Sequence, residues 1–382
     1  MRFLAALIFS ALLAAASQGL LAATSTADLR APDGVGLKAT YYAPDVAGPG
    51  VLLLPMCSSD RSSWRGLGEL LAQRGIHALA LDYRGSGESG GRRDLDREAA
   101  RQARADLWPR DVDVAFEYLR SRPEVDAGRI GAVGASCGVD QAVQLARRHP
   151  GEVQVLAFLA GGAGPAGQAF LGANTWLPIL AVASRQDGRA VETTRWTMEF
   201  SGNSANLFLA YDRGGHGTEL FAVHQDLPGT IADWFAKHLV EKPVVRPPSF
   251  RARPGPSARL ASKVFRPGGG AEYRQLLKAA RGDGGELALP PEGAIDGEAH
   301  RLLEAGQLQE AMELFHLNVE AFPGSARALD GLGDVYRAAG QPRKATKFTR
   351  KALATIPGDR TLDRASAEEL RRSAEAKLQA PQ

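Results

Sequence analysis

Two rhythms of apolar and polar positions divide this chain. Up to about Val240, short apolar runs recur at Val51–Pro55, Ile76–Asp82, Arg129–Val133, Val153–Leu159, Pro178–Ala183 and Asn206–Tyr211, and these predict buried strands. Between them, roughly Trp64–Arg74, Asp106–Arg120, Cys137–His149 and Leu220–Leu239 carry apolar residues at helical spacing. Strands alternating with helices predict an α/β domain: a mostly parallel sheet with helices on both faces. From about Ala271 to Gln382 the pattern is helical throughout. Between the two zones, Glu241–Gly270 holds six prolines and ends in Gly268-Gly269-Gly270. It also carries seven Lys/Arg against Glu241 alone, and it reads as a solvated linker. A weak attachment to an anionic surface is the alternative use of that charge.

The helical zone repeats itself. Displaced by 34 positions, Ala305-Gly306-Gln307 falls on Ala339-Gly340-Gln341, Ala311 on Ala345, and Pro323-Gly324 on Pro357-Gly358. The second unit has Leu332-Gly333, Tyr336, Ala345, Ala352 and Pro357; the first has Ala299 and Leu302 in place of the glycine and tyrosine. Period and residues resemble the tetratricopeptide repeat, an all-α helical-hairpin module. Two repeats fall short of the usual minimum of about three. The core therefore needs completing by the helix Glu272–Arg281, by a terminal helix over Leu362–Leu378, or by the α/β domain. The small concave face suits a peptide or protein partner, with Lys344, Lys347, Arg350 and Lys351 clustered near it.

The N-terminus has its own layout. Arg2 precedes an apolar run from Phe3 to Ala16, and Ser17-Gln18-Gly19 and small residues follow. This predicts a secretory signal peptide over residues 1–23, cleaved near Ala22 or Ala23, with Ala14–Ala16 an earlier option. The alternative is an uncleaved anchor, although the run is shorter than the ~20 residues that span a bilayer. The expected location is periplasmic or secreted, with no transmembrane span in the mature protein. The domain organisation is then signal peptide 1–23, α/β domain 24–240, linker 241–270 and helical repeats 271–382.

Composition narrows the chemistry. The chain has 382 residues, 44% of them apolar and 23% charged, which is globular rather than disordered. A net charge of +3 offers no footprint for nucleic acid. Two cysteines exclude a disulfide-rich scaffold and a four-cysteine zinc site, and no ligand cluster implies a metal or an organic cofactor.

The strongest local signal is Gly134-Ala135-Ser136-Cys137-Gly138, after one predicted strand and opening a helix. That context turns a G-x-S-x-G pentapeptide into a nucleophile elbow. A serine needs a base, and in such sheets the acid and base follow in the order Ser, Asp, His. Asp187 follows the strand Pro178–Ala183, and His216 sits in Gly214-Gly215-His216-Gly217 after Asn206–Tyr211. Both lie past the C-terminal ends of strands, where open α/β sheets hold their ligands. Asp212 and His224 are the local rivals. His77, His149 and His238 fall at a strand start or at helix ends. Oxyanion donors are expected at the N–H of Cys137 and of Cys57, with Met56 the alternative to Cys57.

Together with Trp64 and Asp82-Tyr83-Arg84-Gly85-Ser86-Gly87-Glu88-Ser89, these motifs resemble the α/β-hydrolase superfamily, nearest its dienelactone hydrolase-like and small serine esterase branches. The resemblance spans the α/β zone. It implies Ser136 as nucleophile, Asp187 as acid and His216 as base, acting on a small acyl or ester substrate through an acyl-enzyme. A serine peptidase, or an interaction protein with an inactive hydrolase domain, are the other readings. The chain departs from the family in two places. Pro55-Met56 replaces the usual His-Gly, and serine holds the position at which dienelactone hydrolases proper carry cysteine, with Cys137 one residue later as an alternative nucleophile. On the family mapping, Cys57 and Cys137 occupy converging oxyanion positions, which implies a disulfide between them in an oxidising compartment. Only Ala160–Leu177 is available for a cap, so no large lid is expected; Phe170, Trp176 and Trp196 could line the site or belong to the core.

Overall fold

The computed structural model describes residues 23–93, 97–244, 249–282, 289–362 and 364–379. The segment read as an export signal lies outside them, apart from Ala23, which opens the first strand. Eight strands form one sheet: β1 (Ala23–Arg30), β2 (Gly36–Ala43), β3 (Gly48–Leu54), β4 (His77–Leu81), β5 (Val125–Ala135), β6 (Val153–Leu159), β7 (Ile179–Ser184) and β8 (Leu207–Tyr211). Their order is β1-β2-β4-β3-β5-β6-β7-β8. β2 is antiparallel to both β1 and β4, and every pairing from β4 to β8 is parallel.

β3, β4 and β7 are buried along their whole length, as strands covered on both faces must be. Alternate residues of β3 feed opposite layers. Leu52 and Leu54 join Phe116, Leu119 and Leu145 on one face; Val51 and Leu53 join Leu67, Ile231 and Phe235 on the other. The parallel register pairs Leu54 with Gly134, Ala135 with Leu159, and Ser184 with Tyr211. The loops after β3, β5, β7 and β8 therefore leave from the same edge.

β1 and β2 are not among the expected strands. In β1 only Ala27 and Leu29 are buried, so the strand alternates rather than forming an apolar run. Its turn was nevertheless written in Pro32-Asp33-Gly34, where the Gly34 N–H donates to the Ala31 carbonyl. The expected helix Leu220–Leu239 is broken into Leu220–Val223 and Leu227–Ala236, because Pro228 must stand in a first turn. Helices Pro165–Ala173 and Ala190–Met198 also escaped the periodicity.

The C-terminal part is helical. Helices Glu292–Glu304 and Leu308–Ala321 form one hairpin, and Ala326–Ala338 and Pro342–Thr355 the next, each element displaced by the 34-residue period. Gly306 and Gly340, equivalent under that period, adopt positive φ at 75° and 66° between the paired helices. The helix Gly270–Gly282 adds Tyr273 and Leu277 to the core of Ile295, Leu314, Phe315 and Tyr336. The terminal helix Arg364–Gln379 covers Ala326 and Ile356 with Leu370.

The stretch read as a solvated spacer is instead fastened down. Residues 245–248 lie outside the described part. Beyond them, Phe250 packs on the α/β core and Pro254 bridges to Ser201. The Arg253 N–H donates to Thr175 Oγ1 at 2.9 Å, and the Arg253 carbonyl accepts from Gly202. Helix Pro256–Val264 then delivers Val264 to the core of the helical part. Proline and glycine did not prevent packing here, and Pro256 stands in the first turn of that helix.

Candidate functional site

The site lies at the sheet edge where β3, β5, β7 and β8 end. β5 runs into Ser136, whose φ of 52° and ψ of −120° are unusual for a residue with a side chain. Such backbone costs about 1–3 kcal/mol and persists only where neighbours enforce it. Here the strand-to-helix turn enforces it. The Ser136 N–H donates to the Leu159 carbonyl at 2.8 Å, and the helix Cys137–Arg148 begins at once. The flanking glycines are steric necessities: a methyl group on Gly134 would strike the backbone of Gly138, and one on Gly138 the carbonyls of Leu54 and Pro55.

Ser136, His216 and Asp187 form one hydrogen-bonded chain. His216 Nε2 lies 2.7 Å from Ser136 Oγ, and His216 Nδ1 lies 2.6 Å from Asp187 Oδ2. A carboxylate accepts only, so the Nδ1 proton points to Asp187 and the Nε2 lone pair faces the serine hydroxyl. The His216 side chain is 40% exposed and that of Asp187 20%, so the site opens directly to solvent.

Each loop is held from beneath. Asp187 follows β7 in a turn where its N–H donates to the Ser184 carbonyl. His216 precedes a helical turn in which its own N–H donates to Glu219 Oε2 at 2.9 Å, while the Glu219 N–H returns to the His216 carbonyl. Gln186 Oε1 accepts from the Gly214 N–H, tying the acid loop to the histidine loop. Glu219 and Gln186 were not singled out from sequence. The signal was present for Glu219, since an acid three residues after a helix start is half of a capping box.

The Asp82–Ser89 segment braces the loop after β3. Asp82 is fully buried and accepts from the N–H groups of Arg61 and Glu88 and from the Arg61 guanidinium. Ser86 Oγ donates to the Ser59 carbonyl at 3.1 Å. Two residues upstream of Ser59, Cys57 forms a disulfide with Cys137, their Cα atoms 5.8 Å apart. Cys137 Sγ is thereby occupied, which removes it as a nucleophile. Cys57 is exposed at the surface of the site. The Cys137 N–H belongs to a helix first turn, where amides have no intrahelical acceptor.

The rivals are engaged elsewhere. Asp212 is almost fully exposed and pairs with Arg185 at 3.5 Å. His224 stacks on Tyr211 and meets the Arg213 carbonyl at 2.7 Å. His77 is buried between Tyr41 and the Val46 carbonyl, and burial pushes its imidazole below the ordinary value. His149 meets Asp113. Trp176 and Trp196 are buried in the core, and Phe170 packs against it. Among the described residues, no group of three or more His, Cys, Asp or Glu is arranged to hold a metal ion.

Comparison with known proteins covers part of this region, including Ser136 and Asp187 but not Cys57 or His216. Residues 59–200 match the family described as serine aminopeptidase, S33. Two uncharacterized proteins of Mycobacterium tuberculosis, from strains CDC 1551 / Oshkosh and ATCC 25618 / H37Rv, are each 33% identical over 126 residues. The match takes in 32% of this chain and about two fifths (41%) of each relative's length. Among solved structures, a dienelactone hydrolase from Anabaena variabilis is 19% identical, covering 58% of this chain and 100% of that one, with a TM-score of 0.46. An esterase from Pyrococcus furiosus is 16% identical over 56% of this chain and 93% of that one, with a TM-score of 0.44.

Proposed function

We propose that the α/β-hydrolase domain of this chain is a working serine hydrolase, cleaving a carboxylic ester or a related acyl substrate. The observation that carries this is the unbroken hydrogen-bonded chain from Ser136 through His216 to Asp187, at a strained elbow open to solvent. Ser136 Oγ attacks the acyl carbon while His216 Nε2 takes its proton. Asp187 accepts from Nδ1, fixes the tautomer and stabilises the imidazolium that forms. The oxyanion of the tetrahedral intermediate is taken by the N–H groups of Cys137 and Cys57. The leaving alcohol departs with the proton held by His216. A water, deprotonated by the same nitrogen, then releases the acid and restores Ser136.

Export fits this assignment. Residues 1–23 have the layout of a signal peptide, and a disulfide at the site persists in an oxidising compartment. The family matched by residues 59–200 favours one second reading, cleavage of a peptide bond at an N-terminus.

Labelling with a fluorophosphonate tests the assignment, using full-length mature protein beside Ser136→Ala and His216→Ala. Labelling of the wild type that is lost in both variants supports it. A folded wild type that stays unlabelled overturns it and leaves the domain a scaffold for the repeats. A panel of p-nitrophenyl esters and aminoacyl p-nitroanilides then separates esterase from aminopeptidase.

A further inference from the structure

One edge of the helical repeats lies against the loop that carries Asp187. Three junctions related by the 34-residue period line that edge, Pro291-Glu292, Ser325-Ala326 and Asp359-Arg360, and the loop is met there by Glu292, Phe322 and Thr361. At the first, Glu292 forms an ion pair with Arg189, two residues after Asp187. At the second, Ser325 Oγ donates to the other oxygen of Glu292 and accepts from the Ala328 N–H, and the nearby Phe322 ring lies 4.6 Å beneath the Arg189 guanidinium. At the third, Asp359 fixes Thr361, whose carbonyl lies against Gly188 so closely that a methyl group there would come within 3.1 Å.

Glu292 is 5% exposed and Ser325 1% exposed, so this is an interior contact. A buried carboxylate requires a partner, and Glu292 divides its two oxygens between one hydroxyl and one cation. On the other side, Arg189 immediately precedes the helix Ala190–Met198, and the Ala190 N–H donates to the Asp187 carbonyl at 2.9 Å. Arg189 and Asp187 thus belong to one short turn.

We infer that the repeats are a working part of the catalytic centre: Arg189 and Glu292 are positioning residues that hold Asp187 in register with His216. The inference rests on the serine-hydrolase assignment above. It gives the repeats a role beyond display of a binding face, since a displacement of their 34-residue junctions moves the acid.

The test is steady-state kinetics of the full chain on a p-nitrophenyl ester, for Arg189→Ala, Arg189→Lys, Glu292→Ala and Glu292→Gln. Arg189→Ala and Glu292→Ala are expected to lower kcat by about tenfold with KM within about twofold, because misplacing a catalytic group acts on the chemical step. The double variant should lose little more than either single one, since both changes break one couple. The acidic limb of kcat/KM, set by the base in the free enzyme, should move to lower pH as the imidazolium loses its counter-ion. Arg189→Lys should restore part of kcat. Glu292→Gln keeps the shape and the Ser325 bond and is read if Glu292→Ala fails to fold. Gln309→Ala, an exposed position on the helix Leu308–Ala321 that belongs to no proposed site, is the control. Folded Arg189→Ala and Glu292→Gln proteins with wild-type kcat and an unmoved limb overturn the inference, provided the wild type labels at Ser136. A wild type that does not label overturns the hydrolase assignment itself.

Discussion

Cys57 and Cys137, eighty residues apart in the chain, are covalently joined where the loop after β3 meets the first turn of the helix behind Ser136. The bond closes a long loop and fastens together the two segments proposed to supply the oxyanion donors. In the chain-entropy description, a loop of this length contributes about 4.5 kcal/mol by restricting the unfolded state. Reduction is therefore expected to lower the urea midpoint by a corresponding amount. Cys57 is exposed, so dithiothreitol should reach the bond without prior unfolding. Native protein should show no reactive thiol and reduced protein two. The rate of fluorophosphonate labelling should fall on reduction, as the Cys57 loop loses its anchor. A reduced protein with unchanged midpoint and labelling rate would make the bond incidental.

Asp187 and Asp212 supply a direct comparison between two acids near His216. Asp187 receives the Nδ1 proton at 2.6 Å, whereas Asp212 faces solvent beside Arg185. Asp187→Asn presents an amide that can donate to Nδ1 and so favours the wrong tautomer; kcat should drop by about 10⁴-fold. Asp212→Asn should leave kcat within about twofold. Ester hydrolysis by the two purified variants checks this, and the reverse ranking would reassign the acid.

Glu219 braces His216, the proposed base, through the backbone. Its carboxylate accepts the His216 N–H and its own N–H returns to the His216 carbonyl, so the imidazole leaves the chain from a closed helical turn. Glu219→Ala removes one half of that reciprocal pair and should lower kcat by about tenfold through looser placement of Nε2. Glu219→Gln retains an acceptor oxygen and should lose less. Stopped-time hydrolysis assays with folding monitored by circular dichroism separate this from general destabilisation.

Much of this centre is legible in the linear chain because its chemistry is tied to strand ends. Ser136 sits in a pentapeptide after an apolar strand, and Asp187 and His216 follow later strands in the order that such sheets impose. The 34-residue spacing likewise places the helix starts at Glu292 and Ala326, and at Leu308 and Pro342. Other features depend on partners far away in sequence. β1 buries only two of its eight side chains, and it exists because β2 pairs with it. The proline-rich composition of Glu241–Gly270 reads as a spacer, and composition carries no information that Pro254 bridges to Ser201. Nor does either neighbourhood mark Arg189 and Glu292 as a pair, since each alone is an ordinary surface charge. Only the docking of the repeats brings them together, with Glu292 buried.

The repeats also contain a proton-dependent contact, centred on His300. Its Nδ1 donates to the Asp296 carbonyl at 2.9 Å and lies 3.4 Å from the Asp296 carboxylate, and Nε2 lies 3.9 Å from Asp334 on the neighbouring helix. Lys377 of the terminal helix joins Asp330 and Asp334, Arg337 also pairs with Asp334, and the ring meets Phe315 edge-on. Burial pulls the imidazole down, but the neighbouring carboxylates of Asp296 and Asp334 outweigh it and hold the pKa up to about 10. A folded value above the ordinary 6.5 means that the folded state binds the proton more tightly than the unfolded chain. The stabilisation is then complete below about pH 6.5, declines as the pH rises, and is gone above about 10. His300→Gln keeps a similar shape without the charge. The difference in unfolding midpoint between wild type and His300→Gln should be largest near pH 6 and close to zero at pH 10. A difference constant across that range, or one that grows with pH, would mean that His300 is held neutral between its carboxylates.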